Sequence, residues 1–216
     1  MKAYQLAVFD LDGTLLNTLD DLTSSVNYAL EAFALPKRTA TEVCSFVGNG
    51  IRKLIERAVE NRLENVDGVL DVFKKHYGAH CEEQTKPYDG ILELLATLKE
   101  QGVKVAVLSN KADFATKKLA KSYFNGLLDD AVGENEAGGV RKKPAPDALY
   151  NLMEKFGVKQ AETVYIGDSD VDIQTAQNAG VDCISVTWGF RDEAFLKIHG
   201  ARKIARTVYE LMHFFS

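Results

Sequence analysis

Four apolar runs, each ending in polar residues, restrict the fold of this chain more than any other feature. Leu6 to Phe9 runs unbroken into Asp10, and Val103 to Leu108, nearly continuous, ends at Ser109. Thr163 to Ile166 ends at Gly167 and Asp168, and Cys183 to Val186 ends near Thr187. A strand that is apolar on both faces needs cover on both, which is the condition of a parallel sheet flanked by helices. Helical periodicity lies between the runs, in Ile91, Leu94, Leu95 and Leu98, in Leu149, Leu152, Met153 and Phe156 before Gly157, and in Ile173 and Ala176 before Gly180. Alternating strand and helix predicts an α/β fold with a doubly wound, mainly parallel sheet, a Rossmann-like core.

Between Thr18 and about Cys81 the pattern is helical only. Leu19, Leu22, Val26, Ala29, Leu30 and Phe33 make one stripe that Pro36 ends. Thr39 and Glu42 have capping-box spacing for a second helix. Gly48 and Gly50 interrupt, Ile51, Leu54, Ile55 and Ala58 continue, and Val66, Leu70, Phe73 and Tyr77 mark a further helix. The expected organisation is a catalytic core from residues 1–15 and 84–216, with an inserted all-helical cap domain over residues 16–83.

With 46% hydrophobic and 26% charged residues, a chain of 216 can bury one large core and a smaller one. No apolar run approaches the roughly 20 residues of a membrane-spanning helix. Met1 and Lys2 pass almost directly into an acidic motif, which leaves no room for a secretory signal, so a cytoplasmic protein without a membrane partner is expected. Cys44, Cys81 and Cys183 are odd in number and widely spaced, unlike a zinc site or disulfide framework, and are expected to be packing residues. A net charge of −5 opposes a nucleic-acid partner, so an anionic ligand must be met by a few local cations.

Ligands of open parallel sheets sit beyond the carboxyl ends of the strands. Those ends carry Asp10 and Asp12, Ser109 and Asn110, and Asp168 with Asp172, while Lys143 lies in the loop before a helix. Carboxylates gathered there repel one another unless a cation sits among them, and oxygen-only ligands favour Mg2+ over zinc. In Asp10-Leu11-Asp12-Gly13-Thr14-Leu15, a carboxylate nucleophile is followed two residues later by a candidate general acid and base, at a turn that glycine permits. The plain alternative is a solvated acidic turn, which conflicts with burial of two Asp directly after an apolar strand. Ser109 and Asn110 can offer a hydroxyl and amides to phosphate at a helix N-terminus, although they are also ordinary turn and cap residues. Lys143, in Lys142-Lys143-Pro144-Ala145-Pro146, can present an ammonium to a phosphoryl group or be a solvated loop lysine. Asp168 is the better metal ligand of Asp168-Ser169-Asp170-Val171-Asp172. Asp170 suits a first helical turn, and Asp172 suits a water-mediated or outer metal contact.

In order, the four elements DLDGTL, SN, KP and GDSDVD resemble the signature motifs of the haloacid dehalogenase superfamily over essentially the whole chain. The resemblance implies Asp10 as nucleophile and Asp12 as general acid and base. It implies Ser109 and Lys143 as phosphate ligands, and magnesium held by Asp10, the backbone carbonyl of Asp12, Asp168 and Asp172. The helical insert is similar to the small cap of the first subclass. Phe46-Val47-Gly48-Asn49-Gly50 and Thr187-Trp188-Gly189-Phe190 resemble segments of bacterial phosphoglycolate phosphatases.

A dehalogenase does not need the second acid, because halide leaves without a proton, so Asp12 favours a phosphate ester. The expected substrate is a small phosphorylated metabolite, 2-phosphoglycolate first. Another small phosphate ester, a phosphomutase reaction and a phospho-accepting module without turnover remain as alternatives. Gly48, Asn49 and Gly50, at the start of the helix carrying Arg52, are the expected anion site that chooses among substrates. Either a monomer or a homodimer is compatible with these features.

Overall fold

The computed structural model describes residues 4–135, 138–139 and 141–215. Met1 and Lys2, on which the expectation about a secretory signal rests, lie outside them. The described chain begins with β1 (Leu6–Phe9) and β2 (Leu16–Asn17), then runs through α1 (Leu19–Glu31), α2 (Ala40–Phe46), α3 (Ile51–Val59) and α4 (Val66–His80) to β3 (Lys86–Pro87). Helix and strand then alternate through α5 (Ile91–Glu100), β4 (Lys104–Ala112), α6 (Asp113–Phe124), β5 (Asp130–Glu134), α7 (Asp147–Phe156) and β6 (Thr163–Gly167). The last elements are α8 (Asp170–Ala179), β7 (Asp182–Val186), α9 (Glu193–Ile198), β8 (Lys203–Ala205) and α10 (Val208–Met212). Two compact units result, a helical one from Asn17 to Lys86 and a core from the residues up to Leu16 together with Pro87 onward.

The core sheet has the order β5-β4-β1-β6-β7-β8, and its recorded pairings are parallel. Strand order reverses at β1, which has β4 on one side and β6 on the other. Such a reversal opens a crevice at the carboxyl ends of the strands. Phe9 is in register with Val107 and with Ile166, so the chain leaves β1 and β6 at neighbouring points while β4 runs on beyond them. Leu6 and Val8 join Leu149, Leu152 and Met153 of α7 and Ala176 and Ala179 of α8 in one cluster, and Ala7 and Phe9 are fully buried on the other face. That two-sided burial is what makes β1 read as an unbroken apolar run.

Two expectations about element ends need correction. The strand through Val107 does not stop at Ser109. It continues through Asn110 and Lys111 to Ala112, and α6 starts only at Asp113, so Ser109 and Asn110 do not sit at a helix N-terminus. Pro36 does not end α1 either. Ala34 adopts a left-handed φ of 52°, and the Leu35 N–H turns back to the Leu30 carbonyl at 3.0 Å, while the Leu35 side chain is buried. This is a helix-terminating motif usually built on glycine. The capping box of α2 is present, with the Thr39 hydroxyl accepting from the Glu42 N–H and the Glu42 carboxylate accepting from the Thr39 N–H. Cys81 is buried, Cys44 and Cys183 are partly buried, and none of the three is in a disulfide. Among the described residues no helix is long and apolar enough to cross a membrane.

Within the helical unit Asp21 of α1 is only 1% exposed. Its carboxylate accepts from the Gln84 N–H at 3.0 and 3.1 Å and from the Thr85 N–H at 2.9 Å, tying the segment after α4 to α1. An amide in its place has one accepting oxygen and sets a donor against a donor. Asp21→Asn is therefore expected to destabilise the protein by about 2 kcal/mol, read as a lower urea midpoint. An unchanged midpoint would show that this buried tie contributes little.

Candidate active site

Asp10 directly follows β1, is 8% exposed, and donates its N–H to the Ile166 carbonyl of β6 at 2.8 Å. Its Oδ1 accepts from the Leu11 N–H at 2.7 Å and lies 3.1 Å from Lys143 Nζ. No hydrogen bond to its Oδ2 is made by the described residues. One oxygen is thus fixed and the other remains available for chemistry.

Lys143 is the cation of this cluster, with a side chain 2% exposed. Its ammonium donates to Asp172 Oδ1 at 2.7 Å and to the Tyr165 hydroxyl at 2.9 Å, and that hydroxyl donates to the Leu108 carbonyl at 2.7 Å. Asn110 holds the Lys143 backbone from both sides. Its Oδ1 accepts from the Lys143 N–H at 2.8 Å and its Nδ2 donates to the Lys143 carbonyl at 3.0 Å. The Asn110 side chain therefore positions the lysine loop. Ser109 is buried beside Asn110 within β4, and its hydroxyl accepts from the Lys111 N–H at 3.3 Å.

Asp168 follows β6 and is oriented by two donors, the Thr14 hydroxyl to Oδ1 at 3.1 Å and the Phe190 N–H to Oδ2 at 2.7 Å. The Trp188 indole N–H donates to the Thr14 carbonyl at 3.0 Å. The Thr187–Phe190 segment thus braces the first motif against the last. Gly13, at φ 80°, and Gly189 leave room for this approach, because a β-carbon on either would run into the Asp168 carboxylate. Asp172 is fully buried in the first turn of α8. Its Oδ2 accepts from the Ser169 N–H at 3.0 Å and hydroxyl at 2.6 Å, and Oδ1 takes the Lys143 ammonium. Asp170 opens the same helix without joining the cluster.

Asp10, Asp168 and Asp172 bring carboxylate oxygens within 4.8 Å of one another, the arrangement of a metal site. The Asp12 carboxylate is outside that group. Lys111, which the sequence reading passed over, donates to both Asp12 oxygens at 2.7 and 3.0 Å with its side chain 2% exposed. Four carboxylates against two ammonium groups leave a formal excess of two negative charges. A hard divalent cation with oxygen ligands fits that excess and this donor set. Both oxygens of Asp168 and both of Asp172 already accept hydrogen bonds, which leaves Asp10 Oδ2 as the unengaged oxygen of the group.

The electrostatics express the same imbalance. Burial raises Asp10 to about 6, with Lys143 opposing it and Asp172 and Asp12 adding to it. Burial, and then the charges of Asp172 and Asp10, raise Asp168 to about 8 against the Phe190 and Thr14 donors. Burial works against the charge on Lys143, but Asp10 and Asp172 more than offset it and hold its pKa well above the usual lysine value.

The expected substrate-selecting residues lie in the helical unit. Gly48 and Gly50 have φ of 120° and 86°, and Gly50 precedes α3. Arg52 pairs with Asp67 at 2.7 Å, both side chains being exposed, and Asn49 Oδ1 accepts from Arg57 at 2.7 Å.

A family model described as haloacid dehalogenase-like hydrolase matches residues 7–186. The chain belongs to this family. Among haloacid dehalogenase-like relatives, the phosphoglycolate phosphatase of Aquifex aeolicus is 31% identical over 187 residues, 86% of each chain. That of Haemophilus influenzae strain 86-028NP is 34% identical over 197 residues, 87% of each chain. A crystal structure from Lactobacillus delbrueckii subsp. bulgaricus, of a protein provisionally called a phosphoglycolate phosphatase, matches with a TM-score of 0.93 and 39% identity. It covers 100% of this chain and 99% of that one.

The raised pKa of Asp168 gives stability a definite dependence on pH. Its folded value of about 8 lies above the usual carboxyl value of about 3.9. The stability of the neutral form is therefore complete below about pH 4 and is lost as pH rises through about 8. In chelator, Asp168→Asn, which cannot ionise, is expected to gain in Tm relative to the unsubstituted protein between pH 5.5 and 8.5. A difference in Tm that stays constant or moves the other way would contradict the proposed repulsion.

Proposed function

We propose that this haloacid dehalogenase-like hydrolase is a magnesium-dependent phosphatase that hydrolyses 2-phosphoglycolate to glycolate and phosphate through an aspartyl-phosphate on Asp10. The observation that carries the reading is the Asp10 carboxylate at the end of the central strand, with one oxygen fixed by Leu11 and Lys143 and the other unengaged. The names of the relatives support the choice of substrate.

In the first step Asp10 Oδ2 attacks phosphorus and the bond to the ester oxygen breaks. Asp12 gives its proton to that oxygen, and glycolate leaves. In the second step water attacks the same phosphorus, Asp12 takes the proton, and the bond between phosphorus and Asp10 breaks, restoring the carboxylate. Lys143 and Ser109 bind the phosphoryl oxygens, and the Asn110 side chain keeps Lys143 in place. Asp10, Asp168 and the Asp12 backbone carbonyl would hold Mg2+, with Asp172 orienting Lys143 beside it. The ion would neutralise the charge that the transferring group brings. The helical unit is the cap in this reading.

Release of inorganic phosphate from 2-phosphoglycolate tests the proposal. Turnover is expected with Mg2+, loss in chelator with recovery on adding the ion back, and a fall of roughly 100-fold or more for Asp12→Asn. Calcium, with longer and looser coordination, should substitute poorly. Full activity in metal-stripped protein, or an undiminished rate in Asp12→Asn, would overturn the corresponding part.

A further inference from the structure

The grip of Lys111 on Asp12 has no place in the two steps above. Both oxygens of the proposed acid face one ammonium, whereas a group that protonates a leaving oxygen must turn one oxygen toward the substrate. Lys111 sits near the end of β4, and its backbone is fixed. Its N–H donates to the Ser109 hydroxyl at 3.3 Å, and its carbonyl accepts from the Thr116 hydroxyl at 3.3 Å. Only its side chain is left to adjust. With that side chain 2% exposed, turning Asp12 toward substrate gives up two short contacts to a buried ammonium, a loss that an arriving anion offsets.

The leaving group of the proposed substrate brings such an anion. In 2-phosphoglycolate one methylene separates the ester oxygen from a carboxylate. A leaving oxygen at Asp12 therefore brings that carboxylate within reach of an ammonium that now touches Asp12. We propose that Lys111 is the receptor for the leaving-group carboxylate, exchanging its Asp12 partner for the substrate and so reading the anionic tail from within the core unit. An ester with a neutral tail offers nothing in exchange for the Asp12 contacts to Lys111, and the site rejects it by that difference. This inference rests on the 2-phosphoglycolate reading and adds to it the residue that recognises the carboxylate.

The test compares kcat and KM for 2-phosphoglycolate and for 2-hydroxyethyl phosphate, in which a hydroxymethyl group replaces the carboxylate, at saturating Mg2+. The unsubstituted enzyme is expected to prefer 2-phosphoglycolate in kcat/KM by on the order of 100-fold or more. Lys111→Gln should bring the two esters to comparable kcat/KM, chiefly by raising KM for 2-phosphoglycolate, and Lys111→Arg should keep much of the preference. Lys111→Met, unbranched and of similar length, is a second replacement held to the same outcome, and circular dichroism checks that each variant is folded. A preference that survives in Lys111→Gln or Lys111→Met places carboxylate recognition elsewhere and overturns the inference. An equal fall on both esters also overturns it, and leaves Lys111 as a residue that only positions Asp12. No preference in the unsubstituted enzyme would instead remove the substrate reading itself, and the inference with it, while leaving phosphatase chemistry on Asp10 standing.

Discussion

Asp10, Asp12, Asp168 and Asp172 converge where solvent barely reaches, and among the described residues Lys111 and Lys143 are the ammonium groups paired with them. Buried charges of one sign are tolerated only when they are paired, hydrogen-bonded or shared with an ion. The surrounding structure meets that demand. Lys143 bridges Asp10 and Asp172, Asn110 fixes the loop that carries it, and Tyr165 relays its charge to the Leu108 carbonyl. Asp168 is held by Thr14 and by the backbone of the loop after β7, and no side chain at Gly13 or Gly189 intervenes. The raised pKa values of Asp10 and Asp168 mark what this pairing leaves uncompensated. That remainder is an excess of negative charge of the kind a hard divalent cation offsets.

The sheet could be read from sequence wherever burial is two-sided. β1, β6 and β7 are short, apolar and bounded by polar residues, so their ends, and with them Asp10 and Asp168, were fixed to within a residue or so. The edge strands β5 and β8 were missed. Asp130–Glu134 is mostly half-exposed and Lys203–Ala205 has three residues, too little apolar material to stand out from a loop. The end of β4 was misplaced for a related reason. Ser109, Asn110 and Lys111 look like a turn, and only their burial beside Asp12 and the Lys143 loop keeps them in the strand. Tertiary pairing overrides local preference there.

The site was legible in its residue types and less so in their relations. Asp10, Asp12, Lys143 and Asp168 are at strand ends or in loops, whereas Ser109 lies within β4 and Asp172 in the first turn of α8. The partners that set their behaviour are remote in sequence. Lys111 meets Asp12 across 99 positions, Asn110 meets Lys143 across 33, and Phe190 meets Asp168 across 22. A single sequence carries little signal for such pairs. The one local clue to Lys111 was a lysine three residues beyond the apolar run that ends at Leu108.

The chemistry assigned to this cluster depends on one covalent event at one atom. The most direct measurement is acid quenching of the enzyme during turnover of 2-phosphoglycolate with Mg2+, followed by peptide mass spectrometry under acidic conditions that preserve acyl-phosphates. The account predicts a single phosphoryl group on the peptide containing Asp10, removed by hydroxylamine and absent in Asp10→Asn, a nearly isosteric variant that keeps the fold and loses turnover. Steady turnover with no phosphoryl group trapped at Asp10, together with full activity in Asp10→Asn, would contradict it.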